Sequence, residues 1–167
     1  MLVAAMNPCP CGYQGDTQHS CTCTPAMIQR YRTRLSGPLL DRIDLQVEVP
    51  RVPHSDLADT RPAEASVIIR ERVEQAREIQ QARFSRLRIH CNARMGPKQL
   101  QAFCRADTAG QELLKQVTDR LGLSARTYTR LLKVARTIAD LAGSEDIDVN
   151  HLAEAIQYRQ LDRDAVT

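Results

Sequence analysis

The chain has 167 residues, of which 43% are hydrophobic, 26% charged and 4% aromatic, with no tryptophan and a formal net charge of +3. A core of Leu, Ile, Val and Ala favours helices, and this length suits one ordinary domain or two small ones; so small a charge excludes a generally basic nucleic-acid binder and requires any basic footprint to be local. No apolar run approaches the roughly 18 residues of a membrane span, and no charged-then-apolar leader is read, so the expected setting is the cytoplasm, with thiols reduced and no membrane partner.

In chain order, Leu2–Met6 is a short apolar run that predicts a buried strand ending at Asn7-Pro8. The residues to Cys23, rich in Gly, Asp, Ser, Thr and Cys, predict a structured loop. A short basic helix is expected from Pro25 to Leu35, with proline tolerated in its first turn, and Ser36-Gly37-Pro38 breaks it. A second strand is expected from about Asp44 to Val49, with Leu45, Val47 and Val49 alternating against Gln46 and Glu48. Three prolines between residues 50 and 62 mark a linker.

Beyond the linker the pattern is helical. Ala65, Ile69, Val73 and Ala76 lie three or four residues apart, and Phe84 and Leu87 return to the same face. Pro97 opens a short helix through Cys104. Residues 110 to 121 carry Leu113, Leu114, Val117 and Leu121 before a stop at Gly122. The clearest helix is capped by Ser124, with Tyr128, Leu131, Leu132, Ala135, Ile138, Ala139 and Ala142 at offsets 0, 3, 4, 7, 10, 11 and 14, ending at Gly143. A last helix, capped by Asp148, presents Val149, Leu152, Ala153 and Ile156.

The expected fold is therefore mainly α with a partial β-sheet, arranged as residues 1–50, a linker at 51–62 and a compact helical unit at 63–160. Two strands alone are marginal. They read as part of a larger sheet, with Met1 as the start of a piece. The first 50 residues are expected to be poorly ordered or to pair with a second copy through their unprotected edges.

Cys9, Cys11, Cys21 and Cys23 place four thiols within fifteen residues. Thiolate is soft and four sulfurs close a tetrahedral shell, so a structural Zn2+ is one reading. C-x-C is tighter than the usual spacing, and reduced free thiols or a redox pair are the alternatives. His19 is a substitute ligand; Cys91 and Cys104 stand alone. Arg30, Arg32 and Arg34 form a basic strip around Tyr31, suited either to phosphate contact or to a solvated face. Arg42 follows a tight turn, where it either closes a local salt bridge or aims across an interface. Arg126 opposes the dipole in the first turn of its helix, so it either binds an anion or stands idle at the surface. The glycine-containing turn between the two helices in "DRLGLSARTYTRLLKVAR" is a weak helix-turn-helix signal. No Walker-type phosphate loop, dinucleotide loop or H-E-x-x-H is present.

"LVAAMNPCPCG", "RYRTRLSGPLLDRIDL" and "LSARTYTRLLKVARTIADLAG", in this order, resemble the C-terminal half of magnesium-chelatase-like AAA+ ATPases, and within them the YifB/ComM branch. The resemblance implies the C-terminal fragment of an AAA+ (P-loop NTPase) core followed by an α-helical lid, in a parent that binds ATP and Mg2+ and forms a homo-oligomeric ring, a hexamer. It implies a sensor 1 role for Asn7 at the γ-phosphate, an arginine finger at Arg42 and a sensor 2 role for Arg126. DNA, single-stranded or branched, is the implied partner, and helicase or branch-migration activity the implied function. The fragment alone is expected to be inactive, because the phosphate-cradling loop is missing. A helical DNA-binding or adaptor module and a magnesium-chelatase subunit are the alternatives.

Overall fold

The computed structural model describes residues 1–58 and 60–159. It divides into two compact units: Met1–Leu40 with Glu48–Thr60, and Asp41–Val47 with the chain from Arg61 onward. Residue 160, at the end of the expected helical unit, lies outside the described residues.

The first unit is mostly irregular. Residues 1–7 form no strand, and Leu2, Val3 and Met6 are exposed. The expected strand at Leu2–Met6 is corrected here: an extended segment becomes a strand only when a neighbour takes its backbone hydrogen bonds, and among the described residues none does. Helix α1, Pro25–Arg32, starts where Thr24 accepts a hydrogen bond from the Met27 amide and Pro25 fills the first turn. It buries nothing. The short helices α2, Gly37–Leu40, and α3, His54–Leu57, complete the unit.

The second unit is a helical bundle built around one amphipathic helix. Its members are α4, Ser66–Arg83; a 3₁₀ turn at Asn92–Arg94; α5, Pro97–Phe103; α6, Thr108–Leu121; α7, Ala125–Leu141; and α8, Val149–Gln157. Ser124 caps α7 by accepting from the Thr127 amide, and Asp148 caps α8 by accepting from the Asn150 and His151 amides. Gly122 ends α6 at φ 58°, a left-handed conformation that carries a penalty for any residue with a Cβ.

α7 packs against α4, α5, α8 and the 3₁₀ turn, while α6 packs on α8. The expected stripe on α7 is buried at Leu131, Leu132, Ala135 and Ala139 and meets Leu152 and Ile156 of α8 in one cluster. Each fully buried leucine contributes about 1.5–3 kcal/mol by leaving water. Phe84 and Phe103 close the cluster edge to face, their ring centroids 5.7 Å apart.

Three further expectations are corrected by packing. The second strand shrinks to one bridge, Gln46 to Arg159, with Gln46 buried and Leu45, Val47 and Val49 exposed. The alternation is real, but the neighbour is the end of α8, which covers the polar residue. On α4, Ile69, Val73 and the following Leu87 are exposed, whereas Ala76, Gln80 and Phe84 are buried. Only the C-terminal half of that helix faces the bundle. Ala142 is exposed as the cap of α7 rather than part of its buried stripe. Among the described residues no helix is long and apolar enough to cross a membrane.

Candidate functional site

The first candidate site is the cysteine loop. Asn7-Pro8 leads into a tight turn in which the Gly12 amide donates to the Cys9 carbonyl at 3.0 Å. Gly12 adopts φ 85°, and a Cβ there would meet the Asn7 side chain at 3.8 Å. The turn brings the two C-x-C arms together: Cys9 Sγ lies 3.4 Å from Cys11 Sγ and 3.7 Å from Cys21 Sγ, and Cys11 and Cys21 are 3.6 Å apart. With Cys23, all four sulfurs lie within 4.8 Å of one another. Cys9 is fully buried and the other three are half-buried.

Backbone amides of Tyr13 and Thr22 hold the Cys11 thiol down at about 5, whereas burial pushes Cys23 up to about 12. Such a set can gather four thiolates only around a cation that offsets their mutual repulsion.

His19, weighed as a substitute ligand, is turned to other work. It stacks on Tyr13, with centroids 5.0 Å apart, and shares a 2.7 Å hydrogen bond between its Nδ1 and Arg51. Asp16 accepts from the Gln18 and His19 amides, which hold its carboxyl below the usual range, with Arg51 adding to the effect. Arg30 and Arg34 are exposed on and beside α1, while Arg32 reaches Gln14.

The second candidate site is a clip on the helical bundle. Asp41 accepts hydrogen bonds from the hydroxyls of Thr127, at 3.1 Å, and Ser124, at 3.4 Å. Arg130 donates to the Arg42 carbonyl at 2.8 Å and pairs with Asp44. Arg159, buried at the end of α8, donates to the Ile43 carbonyl at 2.5 Å, and the Gln46 amide donates to the Tyr158 carbonyl at 2.8 Å. The segment carrying Arg42 is thus tied to the first turn of the helix carrying Arg126.

Both arginine side chains are exposed, and among the described residues neither makes a hydrogen bond or ion pair. Each exposed guanidinium group is available to an anion. Asn7 is exposed in the first unit. Sequence reading missed the clip itself. Its one legible sign is Arg130, four residues after Arg126 and so on the same helix face; Asp41 and Arg159 carry no local signal of their pairing.

Comparison with known proteins finds two family matches in sequence order. The family described as magnesium chelatase, subunit ChlI C-terminal, matches residues 63–159, and that described as magnesium chelatase, subunit ChlI, matches residues 1–57. The chain is 45% identical over 163 residues to competence protein ComM of Haemophilus influenzae. It is 45% identical over 164 residues to the uncharacterized protein YifB of Escherichia coli and 43% identical over 164 to that of Salmonella typhimurium. Each alignment covers 97% of this chain and 31% of the relative, so the chain spans about a third of the length of these curated relatives. On two family matches in sequence order and this identity along nearly its whole length, the chain belongs to the magnesium chelatase ChlI family, as a ComM- and YifB-like member.

Proposed function

We propose that this chain is the C-terminal portion of a cytoplasmic, ring-forming AAA+ ATPase that acts on DNA, with residues 1–50 belonging to its ATPase core and 63–160 forming its helical lid. The observation that carries the reading is the clip: hydrogen bonds tie the stretch bearing Arg42 to the start of the helix bearing Arg126, with both arginine side chains free, in a chain of this family.

Phosphoryl transfer is catalysed mainly by positioning and by neutralising charge that develops on the phosphate oxygens. ATP with Mg2+ would be the substrate, the metal supplying positive charge against the phosphates. Arg42 is the finger, donating to the phosphates held by an adjacent subunit. Arg126 is the sensor 2 residue, donating to phosphate oxygens from the first turn of α7. Asn7 orients the γ-phosphate and the attacking water. A finger supplied across an interface makes hydrolysis depend on assembly of the ring, here a hexamer. Arg30 and Arg34, exposed on and beside α1, suit contact with a DNA backbone.

The test is ATP hydrolysis by the protein at the full length of its relatives, with and without branched DNA, as Arg42→Ala subunits are mixed in. DNA should stimulate hydrolysis, and the rate should fall more steeply than the wild-type fraction, because subunits of one ring hydrolyse in concert and one silent finger stalls the rest. The homogeneous variant should lose about a thousandfold in kcat. Wild-type hydrolysis by the homogeneous Arg42→Ala protein overturns the finger assignment, and hydrolysis indifferent to DNA overturns the DNA assignment.

The α6–Gly122–α7 turn favours a second reading, a DNA-binding or adaptor module without catalysis. Steep, salt-sensitive DNA binding by this chain alone, with no hydrolysis by the longer protein, is the result that would select it.

A further inference from the structure

We infer that Cys9, Cys11, Cys21 and Cys23 hold one structural zinc ion that staples the loop from Cys9 to Cys23. Among the described residues of that unit, Cys9 is the single buried side chain. A loop this poor in buried side chains is held by disulfides or by a metal where thiols gather in it. The sulfurs do not form disulfides: the closest pair stands 3.4 Å apart, against about 2.05 Å for the bond.

The spacing fits a mononuclear site. Four thiolates at about 2.3 Å from a tetrahedral zinc stand about 3.8 Å from one another, and the three measured pairs lie at 3.4, 3.6 and 3.7 Å. An iron–sulfur cluster would place several ions between the thiolates and spread them further apart. An all-sulfur shell excludes Mg2+ and Ca2+, which take oxygen. Backbone amides supply the outer shell: those of Gly12 and Gln14 reach Cys9, and those of Tyr13 and Thr22 reach Cys11.

With four thiolates the shell is closed, so the ion does no chemistry on a substrate. Its work is to lock the loop from Cys9 to Cys23. Asn7 lies two residues before the first ligand and beside Gly12, so the same lock sets its position. This inference does not rest on the ATPase reading, since its readouts are metal content and local order.

The experiment is elemental analysis of the 167-residue chain purified without chelator, followed by amide exchange before and after zinc is stripped with a mercurial and a chelator. About one zinc per chain is expected, falling below about a tenth in Cys21→Ser and unchanged in Cys104→Ser, whose thiol lies in the bundle. Stripping should release the amides of residues 9–23 and leave those of α7 protected. If Cys21→Ser fails to fold, exchange on the stripped wild type decides alone. Less than about a fifth of an equivalent in zinc-supplemented wild type, iron in place of zinc, intact disulfides by mass, or unchanged exchange after stripping would each overturn the inference.

Discussion

Replacing Asp140 with alanine tests what holds the helical unit together. Its carboxylate is fully buried on α7 and accepts from Arg83 at 2.8 and 2.5 Å, from Asn92 at 2.7 Å and from Arg136 at 3.1 Å. The variant leaves two guanidinium groups, 12% and 3% exposed, without their shared counter-charge. Removing one member of a buried pair costs about 3–5 kcal/mol, because the partner stays desolvated and uncompensated. For a unit of roughly 100 residues the unfolding entropy is about 0.2 kcal/mol/K, so the Tm should fall by about 15–25 °C.

Acid provides a second readout. Burial alone would raise the Asp140 pKa, but hydrogen bonds from Arg83 and Asn92 and the nearby positive charges outweigh it and hold the carboxyl below its ordinary value. A carboxylate with a depressed folded-state pKa contributes stability that is fully present above its unfolded value of about 3.9 and is lost as pH falls through the folded-state pKa. The gap between wild type and variant should therefore be full at neutral pH and shrink once the pH drops below about 4. Thermal melts followed by far-ultraviolet circular dichroism across pH measure both. A fall in Tm of less than about 3 °C at neutral pH, or a gap that persists unchanged into strong acid, would refute the reasoning.

Two other substitutions probe the bundle and the clip. In Gly110→Ala the new Cβ would stand 2.7 Å from Leu152 Cδ1 and 3.0 Å from the capping carboxylate of Asp107. Overpacking costs about 1–3 kcal/mol and improved helix propensity returns about 1, so urea unfolding should show a net loss of up to about 2 kcal/mol; a stabilised variant would mean that Leu152 repacks freely. Asp41→Ala removes the acceptor for the Ser124 and Thr127 hydroxyls and should cost only about 1 kcal/mol in the same assay. On the proposed ATPase reading it should lower kcat of the full-length protein by about tenfold to a hundredfold through misplacement of Arg42, and an unchanged kcat would show that Arg42 needs no clip.

The helical half was legible because its signals are local. The stripe on α7, the caps at Ser124 and Asp148 and the stop at Gly122 each depend on residues within a turn or two, and each formed where it was expected. The cysteine cluster was legible for the same reason, since both C-x-C arms fall inside one short loop. The apolar pattern of Leu45, Val47 and Val49 could not say which neighbour would cover it, and the neighbour that arrived covered Gln46 instead.

What the sequence by itself determined is α1 and the helices from α4 to α8, the cluster of four thiols and the family. The tertiary structure alone decided that the second half of α4 faces the core and that Asp140 joins Arg83 to Arg136. It also decided that the short stretch bearing Arg42 is fastened to the start of α7 and the end of α8. These are pairings between residues far apart in the chain. Periodicity and capping speak only for neighbours, whereas a buried carboxylate finds its arginine through the path of the whole backbone.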